Sequence, residues 1–174
     1  ATANLCNAST KRLIPMGLSI LIAGASGEVG KRLLDNLIAS NLVDSIHLVN
    51  RRPHPTNNIK VTQHSVDFEK PILIDSELQF DLAFCCLGTT IKKAGSKAAF
   101  EKVDYQYAAQ FALLAKQHNC QKFAVISSVG ANAHKGGFYL QTKGRMEEKL
   151  QNMQWPSCLY FGPACSLATA KNFV

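Results

Sequence analysis

The run Leu18-Ser19-Ile20-Leu21-Ile22-Ala23, followed by Gly24-Ala25-Ser26-Gly27-Glu28-Val29-Gly30, constrains this chain more than any other feature. It reads as a short apolar strand, a glycine turn and the start of a helix at Lys31-Arg32-Leu33-Leu34. Such a turn grips a dinucleotide pyrophosphate. Glycines let backbone approach phosphate oxygens, and a helix N-terminus offers free N–H groups and a partial positive charge. The spacing is Gly-x-x-Gly-x-x-Gly rather than Gly-x-Gly-x-x-Gly, so its weight comes from the strand–turn–helix context.

The remaining pattern alternates strands and helices. The first helix is expected over 28–40 and the second strand over 44–50. Arg51-Arg52-Pro53-His54-Pro55 ends that strand, since proline cannot continue a central one. Ile59 to Val66 suits a third strand, and Pro71 to Phe80 a short helix. Asp81 to Leu87 is a continuous apolar run of the kind buried parallel strands carry. Phe100, Val103, Tyr107, Phe111 and Leu114 fall at helical spacing within a helix over 96–118. A fifth strand is expected over 122–127, a glycine-bearing loop over 128–137, a helix over 139–151 and a sixth strand over 156–161. The expected fold is therefore α/β, a Rossmann-type doubly wound parallel sheet in a single domain over 16–174, with 1–15 as an N-terminal extension.

In such a sheet ligands sit beyond the C-terminal ends of the strands. The polar residues fall there: the glycine turn after strand one, Arg51 and Arg52 after strand two, Asp67 after strand three, Gly88 and Thr89 after strand four, Ser127 and Ser128 after strand five. A carboxylate at the end of strand two would repel a 2′-phosphate, whereas guanidinium groups pair with it bidentately. Val49-Asn50-Arg51-Arg52 therefore points to NADP(H) rather than NAD(H). Tyr139-Leu140-Gln141-Thr142-Lys143 places a phenol and an ammonium on one helix face, where the cation favours phenolate and the phenol serves as a proton donor. Ser128 is the candidate for orienting a substrate carbonyl, with Ser127 as the fallback. Gly27 is expected to leave space for the pyrophosphate and to hold backbone angles suited to glycine, so that Gly27→Val would abolish binding in a folded domain.

Charge and cysteine usage narrow the class. The 174 residues carry 19 Lys+Arg against 12 Asp+Glu, a net charge of +7 that suits anionic ligands. The basic residues are scattered, so nucleic acid is not an expected partner. Cys6, Cys85, Cys86, Cys120, Cys158 and Cys165 form no Cys-x-x-Cys pair and support no metal site. Unpaired thiols, with no apolar run long enough to span a membrane, point to the cytoplasm. A homodimer or a protein partner stays open.

With these motifs on the page, the chain resembles the short-chain dehydrogenase/reductase superfamily of the atypical kind. More narrowly it is similar to the Tat-interacting protein family of NADPH-binding oxidoreductase-like proteins and their bacterial relatives. The resemblance rests on Gly24 to Gly30, Val66-Asp67-Phe68-Glu69-Lys70, Phe84-Cys85-Cys86-Leu87-Gly88-Thr89-Thr90 with Lys93-Ala94-Gly95, Ser127-Ser128, and Tyr139 to Gly144. It implies a dinucleotide held by Gly24, Ser26, Gly27, Glu28, Val29 and Gly30, with Arg51 and Arg52 at the adenosine phosphate. It further implies Asp67 near the adenine, Leu87, Gly88 and Thr89 near the ribose, Lys143 at the nicotinamide ribose, and Ser128, Tyr139 and Lys143 as the catalytic set. Two departures stand out: Gly162-Pro163 replaces the family's Arg-Pro, and Asp104 stands where many reductases carry a catalytic asparagine. Relatives also continue for further elements that wall the substrate pocket, so that part is expected to be short or missing here. Two functions are in play: hydride transfer to or from a small carbonyl or alcohol, and a non-catalytic NADPH-binding regulator or protein-interaction module.

Overall fold

The computed structural model describes residues 17–162. The strands are β1 (Leu18–Ala23), β2 (Val43–Asn50), β3 (Val61–Ser65), β4 (Leu82–Cys85), β5 (Lys122–Ile126) and β6 (Ser157–Phe161). They form one six-stranded sheet in the order β3-β2-β1-β4-β5-β6, and every neighbouring pair is parallel. The helices are α1 (Glu28–Ala39), α2 (Ile91–Ala94), α3 (Lys97–Glu101), α4 (Ala108–Gln117) and α5 (Phe138–Gln151), with a π-helical turn over Lys102–Tyr107 joining α3 to α4.

Because side chains alternate across a strand, β1 feeds two cores. Ile20 and Ile22 pack with Leu33, Leu34 and Leu37 of α1. Leu21 and Ala23 pack with Phe111, Ala112 and Met146 from α4 and α5. A strand segment covered on both faces has to be apolar, which is why β1 is hydrophobic without a break from Ile20 to Ala23. The strand order reverses at β1. The chain winds outward through β2 and β3, then crosses back to β4, which makes the C-terminal edge at β1 and β4 the topological switch point.

Two segments differ from the sequence reading. The stretch 71–80 is not a short helix. The Asp75 carboxylate accepts the Glu77 N–H at 3.0 Å, and the Leu78 N–H closes a turn on the Asp75 carbonyl at 3.2 Å. This local capping competes with helical bonding, and the irregular path lets Ile72, Ile74, Leu78 and Phe80 all reach the core. The second difference is the π turn: the helix expected over 96–118 runs through 97–117 but widens at 102–107. π turns cluster at functional positions, and this one carries the buried Asp104. The expected extension 1–15, Cys6, Pro163 and Cys165 lie outside the described residues.

Candidate dinucleotide site

At the β1–α1 turn, close packing rather than side-chain chemistry sets the geometry. Gly24 has φ +82°, and a Cβ there would stand 2.6 Å from the Cys86 backbone carbon, so the turn lies directly against the exit of β4. A Cβ on Gly30 would come 2.2 Å from the Gly24 carbonyl oxygen, which fixes the first turn of α1 on the loop. Gly27 is different. Its φ of −74° and ψ of 165° are open to any residue, and a Cβ would meet nothing closer than 3.5 Å. The expectation of glycine-only angles at Gly27 is therefore corrected. The backbone demand sits on Gly24 and the close approach on Gly30, because a Cβ on either would meet backbone within 3 Å while one on Gly27 would not.

Gly27 caps α1 without a side-chain hydrogen bond. Its N–H bonds the Gly24 carbonyl at 3.1 Å, and its carbonyl takes the Lys31 N–H at 2.8 Å. Ser26, Gly27, Glu28 and Val29 are exposed, so the first-turn N–H groups of α1 meet solvent with no side-chain cap. The Glu28 carboxylate turns away to Arg32, 2.7 Å off. A helix start with open donors and no Cβ in the way fits a phosphate.

The other strand ends complete the edge. Arg51 and Arg52 after β2 are exposed. Asn50, immediately before them, was not singled out by sequence reasoning. It is buried, and its side-chain Nδ2 has no hydrogen-bond partner. Its signal in the sequence was a polar residue at the end of a strand that also carries Asp44, Ser45 and His47. After β3, the exposed Asp67 carboxylate accepts the Glu69 N–H at 3.0 Å and lies 3.8 Å from the Lys70 ammonium. Glu69 takes a hydrogen bond from Tyr107 and pairs with Lys102 at 2.8 Å. Lys102 and Tyr107 hold its carboxyl below the usual carboxylate range.

Beyond β4, Gly88 is exposed and Leu87 and Thr89 are half-buried. The Thr89 N–H donates to Asp104 Oδ2 at 2.9 Å. Asp104 Oδ1 stands 2.7 Å from the Lys143 ammonium, and both side chains are almost fully buried, at 1% and 3% exposure. Lys143 also donates to the Ile126 carbonyl at 3.0 Å. Burial pushes the Asp104 carboxyl up, against the opposing pull of Lys143 and the Thr89 N–H. One lysine thus ties together the π turn, the loop after β4, the end of β5 and α5.

Lys143 reaches the end of β5 through the Ile126 carbonyl, but no hydrogen bond among the described residues links Ser128, Tyr139 and Lys143 to one another. Tyr139 is 36% exposed, and its ring packs on Phe100 with centroids 5.4 Å apart. Among the described residues no hydrogen bond joins its hydroxyl to Lys143. Ser128 is half-buried, with its hydroxyl 3.5 Å from the Val129 carbonyl. The fallback, Ser127, is buried and donates to the Glu147 carboxylate, so it closes β5 onto α5. Burial pushes the Cys85 and Cys120 thiols up to about 12, which makes them small core groups rather than nucleophiles.

Residues 20–151 match the model of a family described as the NAD dependent epimerase/dehydratase family. The rat protein named HTATIP2 is 39% identical over 155 residues, which make up 86% of this chain and 63% of that protein. A relative from Scheffersomyces stipitis, named protein FMP52-1, mitochondrial, is 31% identical over 86% of this chain and 68% of its own length. Among solved structures, MoeE5 in complex with UDP-glucose and NAD superimposes with a TM-score of 0.63 at 15% identity, over 81% of this chain and 52% of that one. A short-chain dehydrogenase/reductase superfamily protein from Agrobacterium tumefaciens with bound NAD gives 0.64 at 14% identity, over 83% and 48%. The chain thus spans under two thirds of the rat relative and about half of these solved chains. The comparisons correct one expectation. Fungal relatives from Scheffersomyces stipitis, Debaryomyces hansenii and Candida albicans are named mitochondrial, which overturns the cytoplasmic assignment. Unpaired thiols separate reducing from oxidising compartments and resolve nothing finer. Among the described residues no helix is long and apolar enough to cross a membrane.

Proposed function

The chain belongs to the NAD dependent epimerase/dehydratase family, and from that premise we propose that it is an NADP(H)-binding, oxidoreductase-like protein. In this reading it acts on a small carbonyl or alcohol through Ser128, Tyr139 and Lys143. The observation that carries it is the packed glycine turn, with Gly24 and Gly30 held against backbone and the N-terminus of α1 left uncapped on the edge where Arg51 and Arg52 are exposed.

The backbone of Gly24, Ser26, Gly27, Glu28, Val29 and Gly30 would hold the pyrophosphate. Arg51 and Arg52 would pair with a 2′-phosphate, Asp67 would lie near the adenine, and Leu87, Gly88 and Thr89 near a ribose. The dinucleotide, when bound, supplies or accepts the hydride. Ser128 orients the carbonyl oxygen, and the Tyr139 hydroxyl delivers the proton to it. Lys143, fixed by Asp104 and the Ile126 carbonyl, presents its remaining donor capacity to the nicotinamide ribose and adds positive charge near the phenol. A carbonyl screen that follows NADPH oxidation tests this. Tyr139→Phe should bind NADPH as the parent does and lose about 10²–10⁴-fold in turnover. A Tyr139→Phe variant that turns over at the parent rate removes the catalytic assignment.

A second reading has its own observation. The Lys143 charge is already satisfied in a buried pair and makes no hydrogen bond to Tyr139, an arrangement suited to a dinucleotide-binding regulator without turnover. NADPH binding by calorimetry, combined with no oxidation across the carbonyl screen, would favour this second reading.

A further inference from the structure

The exposed lysines around the start of α5 are left without counter-ions. The chain carries no Asp or Glu over 82–100 or over 122–146, so β4, β5 and the loops that follow them contribute positive charge only. Lys92, Lys93, Lys97 and Lys135 are exposed, and among the described residues none of them forms an ion pair. Arg32, Lys102 and Arg145 show the contrast, each within 2.7–2.8 Å of a glutamate carboxylate.

Lys97 is the best placed of these lysines. Its Nζ lies 5.3 Å from the centroid of the Phe138 ring, and Phe138 directly precedes Tyr139. Phe100, on the same face of α3, packs on both Phe138 and Tyr139, with centroids 6.1 and 5.4 Å apart. Glu101 then holds Arg145 at 2.8 Å. One face of α3 therefore lies along the first turns of α5 and sets the Lys97 ammonium beside the candidate proton donor. Lys135 belongs to the loop over 128–137, which is fixed on the same helix. A Cβ on Gly144 would stand 2.2 Å from the Ala133 backbone nitrogen, and the Gln141 side chain donates to the Gly136 carbonyl at 2.9 Å. Within the loop, Asn132 Oδ1 accepts the Lys135 N–H at 2.8 Å.

We propose that the substrate of this site carries an anionic group, a carboxylate or a phosphate, and that Lys97 anchors this group while the carbonyl lies at Tyr139. The proposal rests on the hydride-transfer reading above and deepens it by naming the substrate class. A rim of one sign raises the local concentration of the opposite charge. A charge-assisted hydrogen bond to the anion adds to the weak contact that Lys97 makes with the Phe138 ring. The anion takes no part in the hydride and proton transfers and serves only to hold the carbonyl in place.

The test follows NADPH oxidation by the full chain with three aldehydes that share one reacting carbonyl: para-tolualdehyde, which is neutral, para-carboxybenzaldehyde and para-formylphenyl phosphate. At least one acid should exceed the neutral aldehyde about tenfold in kcat/KM, chiefly through KM, and the gap should shrink as salt is raised. Whichever acid leads identifies the anion. Lys97→Met should lower the ratio of acid to neutral kcat/KM about tenfold, again through KM, and Lys97→Arg should restore it. Equal kcat/KM for acids and neutral aldehyde in the parent overturns the proposal while the hydride-transfer reading stands, and so does a preference that Lys97→Met leaves intact. If none of the three is reduced, the hydride-transfer reading fails for this carbonyl, and calorimetry of the same aldehydes on NADPH-saturated protein decides the anion site. Tighter binding of an acid that is lost in Lys97→Met sustains it, and equal or absent binding overturns it. Parental protein that does not bind NADPH overturns both.

Discussion

The β1–α1 turn and the β5–α5 region lie on the same edge of the sheet and are built in opposite ways. At the turn, the polar groups are backbone N–H donors left open, and order comes from contact: Gly24 against Cys86, and Gly30 against Gly24. Around β5 and α5 the polar groups are side chains already closed on partners, Lys143 on Asp104 and the Ile126 carbonyl, Ser127 on Glu147. The contrast follows from what each place can tolerate. Neutral donors at a helix start can wait in water for an anion at little cost. A buried ammonium cannot wait for anything, since an uncompensated charge in the interior is far more expensive than an open amide.

The largest effect should come from breaking the closed side. Asp104→Ala leaves the buried Lys143 without its counter-charge, with only the Ile126 carbonyl as partner, and we expect a loss of about 3–5 kcal/mol in urea unfolding. Asp104→Asn, which can still accept the Thr89 N–H, should lose less. Parental stability in Asp104→Ala would show that the pair does not organise this region.

The open side should break at a different glycine from the one the motif emphasises. Gly30→Ala drives a methyl into the Gly24 carbonyl and should cost about 3 kcal/mol. Gly27→Ala has room and allowed angles, so stability should hold or rise by about 0.5 kcal/mol. Gly27→Val should stay folded and lose NADPH binding, because its bulk would take the space proposed for the pyrophosphate. Equal melting temperatures for Gly30→Ala and Gly27→Ala would refute the packing account.

A third region sharpens the comparison, because it is buried without compensating charge. His47 bonds His64 between ring nitrogens 2.9 Å apart and packs edge-on against Phe80. Burial, then the neighbouring His64 and His118, lowers its pKa from 6.5 to about 4. Burial and His118 lower that of His64 as well. A histidine whose folded pKa is depressed binds more protons when unfolded, so stability is full above pH 6.5 and is lost as pH falls toward 4. The loss should reach roughly 2 kcal/mol, read from urea midpoints between pH 7 and 4.5. His47→Gln should flatten that slope, and a slope unchanged in His47→Gln would place the titration elsewhere.

Among the losses given a size, the smallest belongs to the exposed arginines. Changing Arg51 and Arg52 together to Ala should weaken NADPH by about tenfold, near 1.4 kcal/mol, with NADH little affected. Solvent screening keeps this below what buried pairs deliver. Equal parental affinities for NADPH and NADH would remove the role assigned to the pair.

Much of this fold was legible in the chain. The central strands and the helices at 28–39 and 138–151 follow from apolar runs and periodicity, because a strand segment covered on both faces must be apolar and a surface helix must carry a stripe; the edge strand β3, Val61–Ser65, shows only a weak alternation. The stretch 71–80 was not legible. Its apolar residues suit a helix or an irregular covering segment equally, and the Asp75 turn chose the second. Nor was the π turn, since an extra residue in one helical turn leaves hydrophobic spacing nearly unchanged while re-aiming Asp104.

At the candidate site the division is similar. Sequence alone determined the glycine turn, the placement of the polar residues at strand ends, and the family resemblance, because these depend on residue type and local spacing. Tertiary structure alone decided that Gly24 and Gly30, rather than Gly27, carry the backbone constraint. It also decided that Lys143 is tied to Asp104, that Ser127 is tied to Glu147, and that Asn50 is buried with its amide unpaired. The contacts of Gly24 with Cys86 and of Lys143 with Asp104 join segments far apart in the chain, and a linear pattern does not say which groups a fold will bury, pair or leave waiting.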